Sequence, residues 1–130
     1  MNYYKKLFYV GAIWNCSIAF FSLFFYKPLF YFFHMAIPDP PVWLFLFLGA
    51  VVVFGLGYFW VGIDLTRNDG IVKMGIIGKI GFFSMTVYSV FTSVFHPIML
   101  LPATIDIVFA ILFGFFLYSQ YTQSERNLYN

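Results

Sequence analysis

Lys79 and Asp106 are the residues of this chain whose chemistry fits their surroundings least, because each interrupts a long apolar run. Placing either type at the centre of a membrane helix costs about 2.5–3.5 kcal/mol, so each must reach a surface, find a partner or serve a function. A lysine can hold an anionic group, or snorkel along its flexible stem toward Asp64 or a lipid phosphate. An intramembrane carboxyl is the kind of group that proton relays and acid-base catalysts use, and its structural alternative is a protonated or hydroxyl-bonded carboxyl near a helix start. Two candidate clusters follow. Asn15, Tyr58 and Lys79 form a ligand-binding set suited to an anionic group, and Asp106 with Tyr88, Ser89 and Thr92 forms a second polar set. Asp64 and Arg67 fall in a connecting loop.

Other chemistry is sparse. His34 and His96 are of a type that ligates metal or haem, but histidines at a membrane interface are commoner, and neither a metal nor another cofactor is expected. The single cysteine, Cys16, excludes an internal disulfide and dithiol chemistry, and reads as a structural thiol inside a helix. The chain contains no CxxC, HExxH or GxSxG and no glycine-rich phosphate loop. Gly55-x-Gly57 lacks the third glycine of a nucleotide-binding loop and reads as a packing or bending feature. No catalytic residue is assigned.

The elements that must position these residues follow from composition. Of 130 residues, 62% are hydrophobic, 25% aromatic and 9% charged, against about a quarter charged in soluble proteins. The charges divide the chain into four apolar runs, 7–26, 42–63, 71–95 and 102–121, each long enough to span a bilayer at about 20 residues per crossing. The expected fold is therefore an all-α integral membrane four-helix bundle, one transmembrane domain over residues 1–130. Asp39-Pro40-Pro41 suits a capped helix start, with the carboxylate on free backbone donors. Thr66-Arg67-Asn68-Asp69-Gly70 is a tight turn that makes the second and third helices antiparallel neighbours. The aromatic stretch from Lys27 to Ile37 is too short to span and is expected to lie along the membrane interface.

Lys5, Lys6, Arg67, Lys73 and Arg126 fall on one side of such a bundle and Lys27 on the other, which by the positive-inside rule places both termini in the cytoplasm. No A-x-A cleavage signal follows the first run, so it reads as a retained helix. The net charge of +2 comes from these flanks and makes no case for nucleic acid; membrane lipids, a second copy or a membrane-protein subunit are the expected partners.

Helical periodicity arranges the interior. Gly75, Lys79, Phe82, Thr86, Ser89 and Ser93 share one face of the third helix, and Ala103, Asp106, Ala110 and Gly114 share one face of the fourth, both reading as packing seams. At about 1.5 Å rise per residue, Lys79 and Asn15 each lie about 12 Å from the cytoplasmic boundary, and Asp106 about 8 Å from the opposite one. Lys79 and Asp106 are then separated by about 15 Å along the axis, which predicts two polar clusters and no direct ion pair.

Gly55-Leu56-Gly57-Tyr58, Asp64-Leu65-Thr66-Arg67-Asn68, Gly70-Ile71-Val72 and Gly75-Ile76-Ile77-Gly78-Lys79 resemble the central segment of a family of small uncharacterised bacterial four-helix membrane proteins, with Trp14-Asn15 and Asp106-Ile107-Val108-Phe109 similar to its flanking features. The resemblance implies a multi-pass protein of the bacterial inner membrane and singles out Asn15, Tyr58, Asp64, Arg67, Lys79 and Asp106. It brings no activity, cofactor or substrate. Small multidrug transporters share the length and span count, but the essential glutamate of their first helix has no counterpart between Lys6 and Lys27. Four-helix sterol isomerase-like bundles use paired core carboxylates, and here Asp106 alone lies within a span.

The reading these features favour is a non-catalytic bundle that binds lipid or another hydrophobic molecule, or serves as an accessory subunit. A small proton-coupled transporter using Asp106 and Lys79 is the alternative. A lipid-modifying enzyme, with Asp106 assisted by Tyr88 or a histidine, comes third.

Overall fold

The computed structural model describes residues 2–128, which form four α-helices joined by short connections and contain no strand. The helices are α1 (Asn2–Phe32), α2 (Val42–Ile63), α3 (Asp69–Phe91) and α4 (Leu100–Leu128), with a single 3-10 turn at Pro97–Met99. Each is long and apolar enough to cross a membrane.

The predicted limits of α2 coincide with the observed ones, and the other three helices differ for local reasons. Helix α1 runs on to Phe32, so the first part of the aromatic stretch after Lys27 belongs to it rather than to a separate interfacial segment. Pro28 lacks the N–H that would bond the Phe24 carbonyl, and its ring crowds that carbonyl. The helix accordingly leaves helical geometry at Phe25 (φ −121°, ψ 26°) and resumes beyond it. Helix α3 stops at Phe91, four residues before the end of its apolar run. Ser93 adopts a left-handed conformation (φ 60°), the Ser93 amide donates to the Val90 carbonyl, and the Val94 amide donates to the Ser89 carbonyl. That is the Schellman pattern, which satisfies the last free carbonyls and ends the helix. His34 (φ 54°) closes α1 in the same way, with its own amide on Tyr31 and that of Met35 on Phe30. Helix α4 starts two residues earlier than its run and continues seven beyond it.

The start of α2 corrects another expectation. Its N-cap is Pro41, with no side-chain capping bond, and Asp39 precedes it across a cis Asp39–Pro40 peptide bond. A capping carboxylate has to sit at the N-cap position to reach the second and third amides of the helix, and Asp39 is two residues too early.

The tight turn after α2 forms as expected. Asp64 Oδ1 accepts from the Thr66 amide (2.9 Å) and hydroxyl (2.7 Å), while Asn68 Nδ2 donates to the carbonyls of Asp64 (3.0 Å) and Trp60 (3.3 Å), covering the C-terminal end of α2. Arg67 lies 3.5 Å from Asp64, and Lys73 bonds Asp69 at 2.7 Å. The Thr66 hydrogen bonds, ahead of the nearby Arg67 charge, hold the Asp64 carboxyl below its ordinary value.

Backbones approach most closely within the α1/α2 and α3/α4 pairs, and α2 meets α3 much less along its length despite the tight turn. Gly55 shows what the first pairing requires: a Cβ there would fall 2.6 Å from the Cys16 sulfur and 3.3 Å from the Ala12 carbonyl oxygen. Between the two pairs, large aromatic side chains fill the space. Phe8 stacks on Phe113 at 4.7 Å and meets Phe116 edge-on at 4.9 Å, and Tyr58 meets Phe113 edge-on at 4.9 Å. With Leu7, Val61, Leu65 and Val72, these rings make a dense core at the end of the bundle that carries the α2–α3 turn. At the other end the α1–α2 and α3–α4 connections come together, with the His34 and His96 rings 4.8 Å apart.

Candidate functional site

Helix α3 presents one continuous face to the protein, on which Val72, Gly75, Lys79 and Thr86 are buried. This is the predicted stripe as far as Ser89; Ser93 is exposed because the helix has already ended. Lys79 therefore points inward with 5% of its surface exposed, and the expected snorkelling toward Asp64 does not occur. Asp64 is engaged by Thr66 and Arg67 instead. On α4, Ala103 and Ala110 are buried on the face that carries Asp106.

The two faces bring together what the depth estimate kept apart. Lys79 Nζ forms an ion pair with Asp106 Oδ1. The predicted 15 Å separation assumed that α3 runs to Phe95. In the structure Lys79 lies twelve residues before the end of α3 and Asp106 six residues after the start of α4. That reduces the axial offset to about 9 Å, which the lysine stem and the inter-helix connection take up. The two predicted polar clusters become one.

Asn15 joins this group. Its Oδ1 lies 3.4 Å from Lys79 Nζ, and its Nδ2 donates to the Val51 carbonyl at 3.5 Å, so α1 contributes an oriented acceptor. Tyr58 from α2 supplies its ring, with Lys79 Nζ 5.6 Å from the centroid, and Phe109 from α4 supplies another at 5.3 Å. Both lie within cation–π range of the ammonium. The expected grouping of Asn15, Tyr58 and Lys79 is thus present, with Asp106 as an addition.

The second predicted set does not assemble. Tyr88 and Thr92 are exposed, the Thr92 hydroxyl bonds back to the Tyr88 and Ser89 carbonyls of its own helix, and Asp106 is turned toward Lys79. Nor do the histidines serve Asp106. Their rings meet at a tilt of 46° at the connection end, where His96 Nδ1 accepts from the Ile98 amide at 3.3 Å. No cluster of three or more metal-ligating side chains occurs among the described residues.

Beside the ion pair lies a cavity of about 240 Å³ bounded by all four helices. Its walls are chiefly apolar, including Trp14, Phe47, Phe54 and Phe82, and its polar end is formed by Asn15, Tyr58, Lys79 and Asp106. Asn15, Tyr58 and Lys79, expected from the sequence to form a ligand-binding set, all line this space; its apolar walls and the presence of Asp106 were not expected. The one available signal was the spacing of Gly75, Gly78 and Lys79, which puts small residues next to a charge. Gly75 is required there, since a Cβ would fall 2.6 Å from the Tyr58 hydroxyl.

Together the fold and site define a four-helix all-α protein, with helices of membrane-crossing length, that holds a largely buried charged pair beside a partly open apolar cavity. The chain matches no protein-family model, and comparison with curated proteins and with solved structures finds no match. What the site can do follows from its own geometry.

Proposed function

We propose that this chain is a multi-pass protein of the bacterial inner membrane, with both termini cytoplasmic, whose bundle holds a hydrophobic molecule in the cavity beside Lys79 and Asp106 without transforming it. Membrane residence is supported by the outer surface, where Phe91 (85% exposed), Trp43 (78%), Phe24, Leu46, Val53, Met74 and Phe115 all face outward. A soluble monomer seldom exposes a contiguous apolar patch beyond about 300–600 Å², and here the apolar exposure extends over all four helices. The orientation rests on the distribution of lysine and arginine.

The single observation that carries the binding reading is the cavity itself. Apolar walls leading to a few convergent polar groups are the usual design of a small-molecule site, and 240 Å³ exceeds the roughly 150 Å³ that suffices to hold benzene. Native mass spectrometry after gentle extraction tests it. A small molecule retained by the wild-type protein and lost from a Gly78→Leu variant, whose new side chain starts in contact with Phe54 and extends into the cavity that Gly78 lines, is the expected result. Equal spectra for the two proteins would overturn the reading.

One observation favours a second reading. The Lys79–Asp106 pair joins α3 to α4 at the cavity, so a proton taken up by Asp106 would break the link, as a proton-coupled transporter requires. Proton-driven flux that survives in an Asp106→Asn, Lys79→Ala double variant would remove it.

A further inference from the structure

The polar end of the cavity constrains the chemistry of what it receives. Its two charges neutralise each other, because the Lys79 ammonium and the Asp106 carboxylate are already paired. An anionic ligand would bring its charge against the carboxylate, and a cationic one against the ammonium. Either would leave a buried charge without compensation, which is among the costliest arrangements in a protein interior. With Asp106 beside Asn15, Tyr58 and Lys79, the same reasoning weighs against the anion expected there.

Two oxygens at this end are still open. The Tyr58 side chain is 1% exposed and lines the cavity, yet its hydroxyl has no hydrogen-bond partner among the described residues. Every fully enclosed polar side-chain atom in the described chain does have a partner, so the unbonded Tyr58 hydroxyl keeps a small residual exposure, and the cavity is a space its side chain lines. Asp106 is the second case. Lys79 engages Oδ1, while Oδ2 accepts no hydrogen bond among the described residues and the side chain retains 19% exposure. One oxygen can donate or accept, and the other only accepts.

A single neutral group that both accepts and donates matches this pair of oxygens, and that group is a hydroxyl. We propose that the cavity takes a neutral alcohol or phenol, whose hydroxyl accepts from Tyr58 and donates to Asp106 while its apolar body lies against Trp14, Phe47 and Phe82. The inference rests on the ligand-binding reading above and specifies its ligand. Taking benzene in about 150 Å³ as the guide, the volume suits a body of about ten non-hydrogen atoms. A carbonyl could accept from Tyr58 but would leave Asp106 Oδ2 unmatched, and a plain hydrocarbon would leave both oxygens desolvated without a bond.

The test uses four ring compounds of nearly equal size: 4-bromobenzyl alcohol, 4-bromobenzoate, 4-bromobenzylamine and 4-bromotoluene. Bromine quenches Trp14 fluorescence, read in the full-length protein carrying Trp43→Phe and Trp60→Phe, and the Gly78→Leu variant corrects for partition into detergent. The alcohol should bind at least tenfold more tightly than the other three. Tyr58→Phe should weaken the alcohol at least fivefold and leave 4-bromotoluene unchanged. Toluene binding equal to the alcohol would overturn the hydroxyl assignment while leaving the cavity reading intact, and tighter binding of the benzoate or the amine would overturn it too. Quenching no greater than in Gly78→Leu for all four compounds would overturn the ligand-binding reading itself. Should Tyr58→Phe fail to fold, the ranking of the four compounds still decides the matter.

Discussion

The two halves of the bundle use the same kinds of side chain to opposite ends. At the turn end, Phe8, Tyr58, Phe113 and Phe116 interlock and are all but fully buried; half a bundle away, Trp14, Phe47, Phe54 and Phe82 stand around a cavity. The difference lies in what surrounds the rings. In the packed half their neighbours are Leu7, Val61, Leu65 and Val72, branched residues that fill the gaps between rings. In the open half Gly78 faces Phe54 at a distance that an added Cβ would not reach closer than 3.8 Å, and a charged pair occupies the place of an apolar plug. Aromatic content alone does not make a dense core; the small residues and charges beside the rings decide whether space is filled or kept.

The largest effect should come from breaking the open half at its charged pair. Asp106→Leu leaves the buried Lys79 ammonium without its partner and should destabilise the protein by about 3–5 kcal/mol in a reversible unfolding titration in detergent. Adding Lys79→Met to that variant should recover most of the loss, because two well-packed apolar side chains replace a pair whose desolvation offset much of its attraction. A double variant no more stable than Asp106→Leu would mean that the pair contributes something beyond charge compensation.

Truncation in the packed half should come next. Phe113, fully buried among Phe8, Tyr58 and Phe109, should cost about 3 kcal/mol as Phe113→Ala through the void it leaves. Phe82→Ala, made beside an existing cavity, should cost clearly less. Equal losses from the two variants would erase the distinction between the halves. Filling has the opposite sign: Gly78→Leu should be neutral or stabilising by up to about 1 kcal/mol, since it occupies empty space and replaces a glycine within a helix.

The smallest effect belongs to the turn that borders the packed half. Because its hydrogen bonds to Thr66 lower the Asp64 pKa, Asp64 contributes stability that is fully present above the ordinary carboxylate range and is lost as pH falls through its lowered folded value. Asp64→Asn should flatten that acid limb of the stability profile and change little at neutral pH, with the open half unaffected.

How much of this was legible in the chain varies by element. Helix α2 was readable to the residue, because Pro41 and Asp64 bracket an unbroken apolar run. The seam on α3 was readable as far as Ser89 because it depends only on helical periodicity. The early end of α3 was not: Ser93 in a left-handed conformation carries no strong sequence mark, since a glycine or asparagine usually occupies that position. Pro28 was visible, but whether the chain would stop there or bend and continue depends on whether the helix beyond it finds something to pack against.

The sequence by itself determined the local facts: four apolar helices, the turn between α2 and α3, the inward face of α3, and the shared level of Asn15 and Lys79. Each follows from composition or from the fixed rise and rotation of a helix, which act within a few residues. The tertiary structure alone decided that Lys79 meets Asp106 rather than Asp64, that the hydroxyl of the buried Tyr58 is left without a hydrogen bond among the described residues, and that a cavity lies beside them. Those outcomes depend on where helices distant in sequence end and how far they slide past one another: ending α3 four residues early cuts a separation of about 15 Å to about 9 Å, which the lysine stem and the inter-helix connection then span.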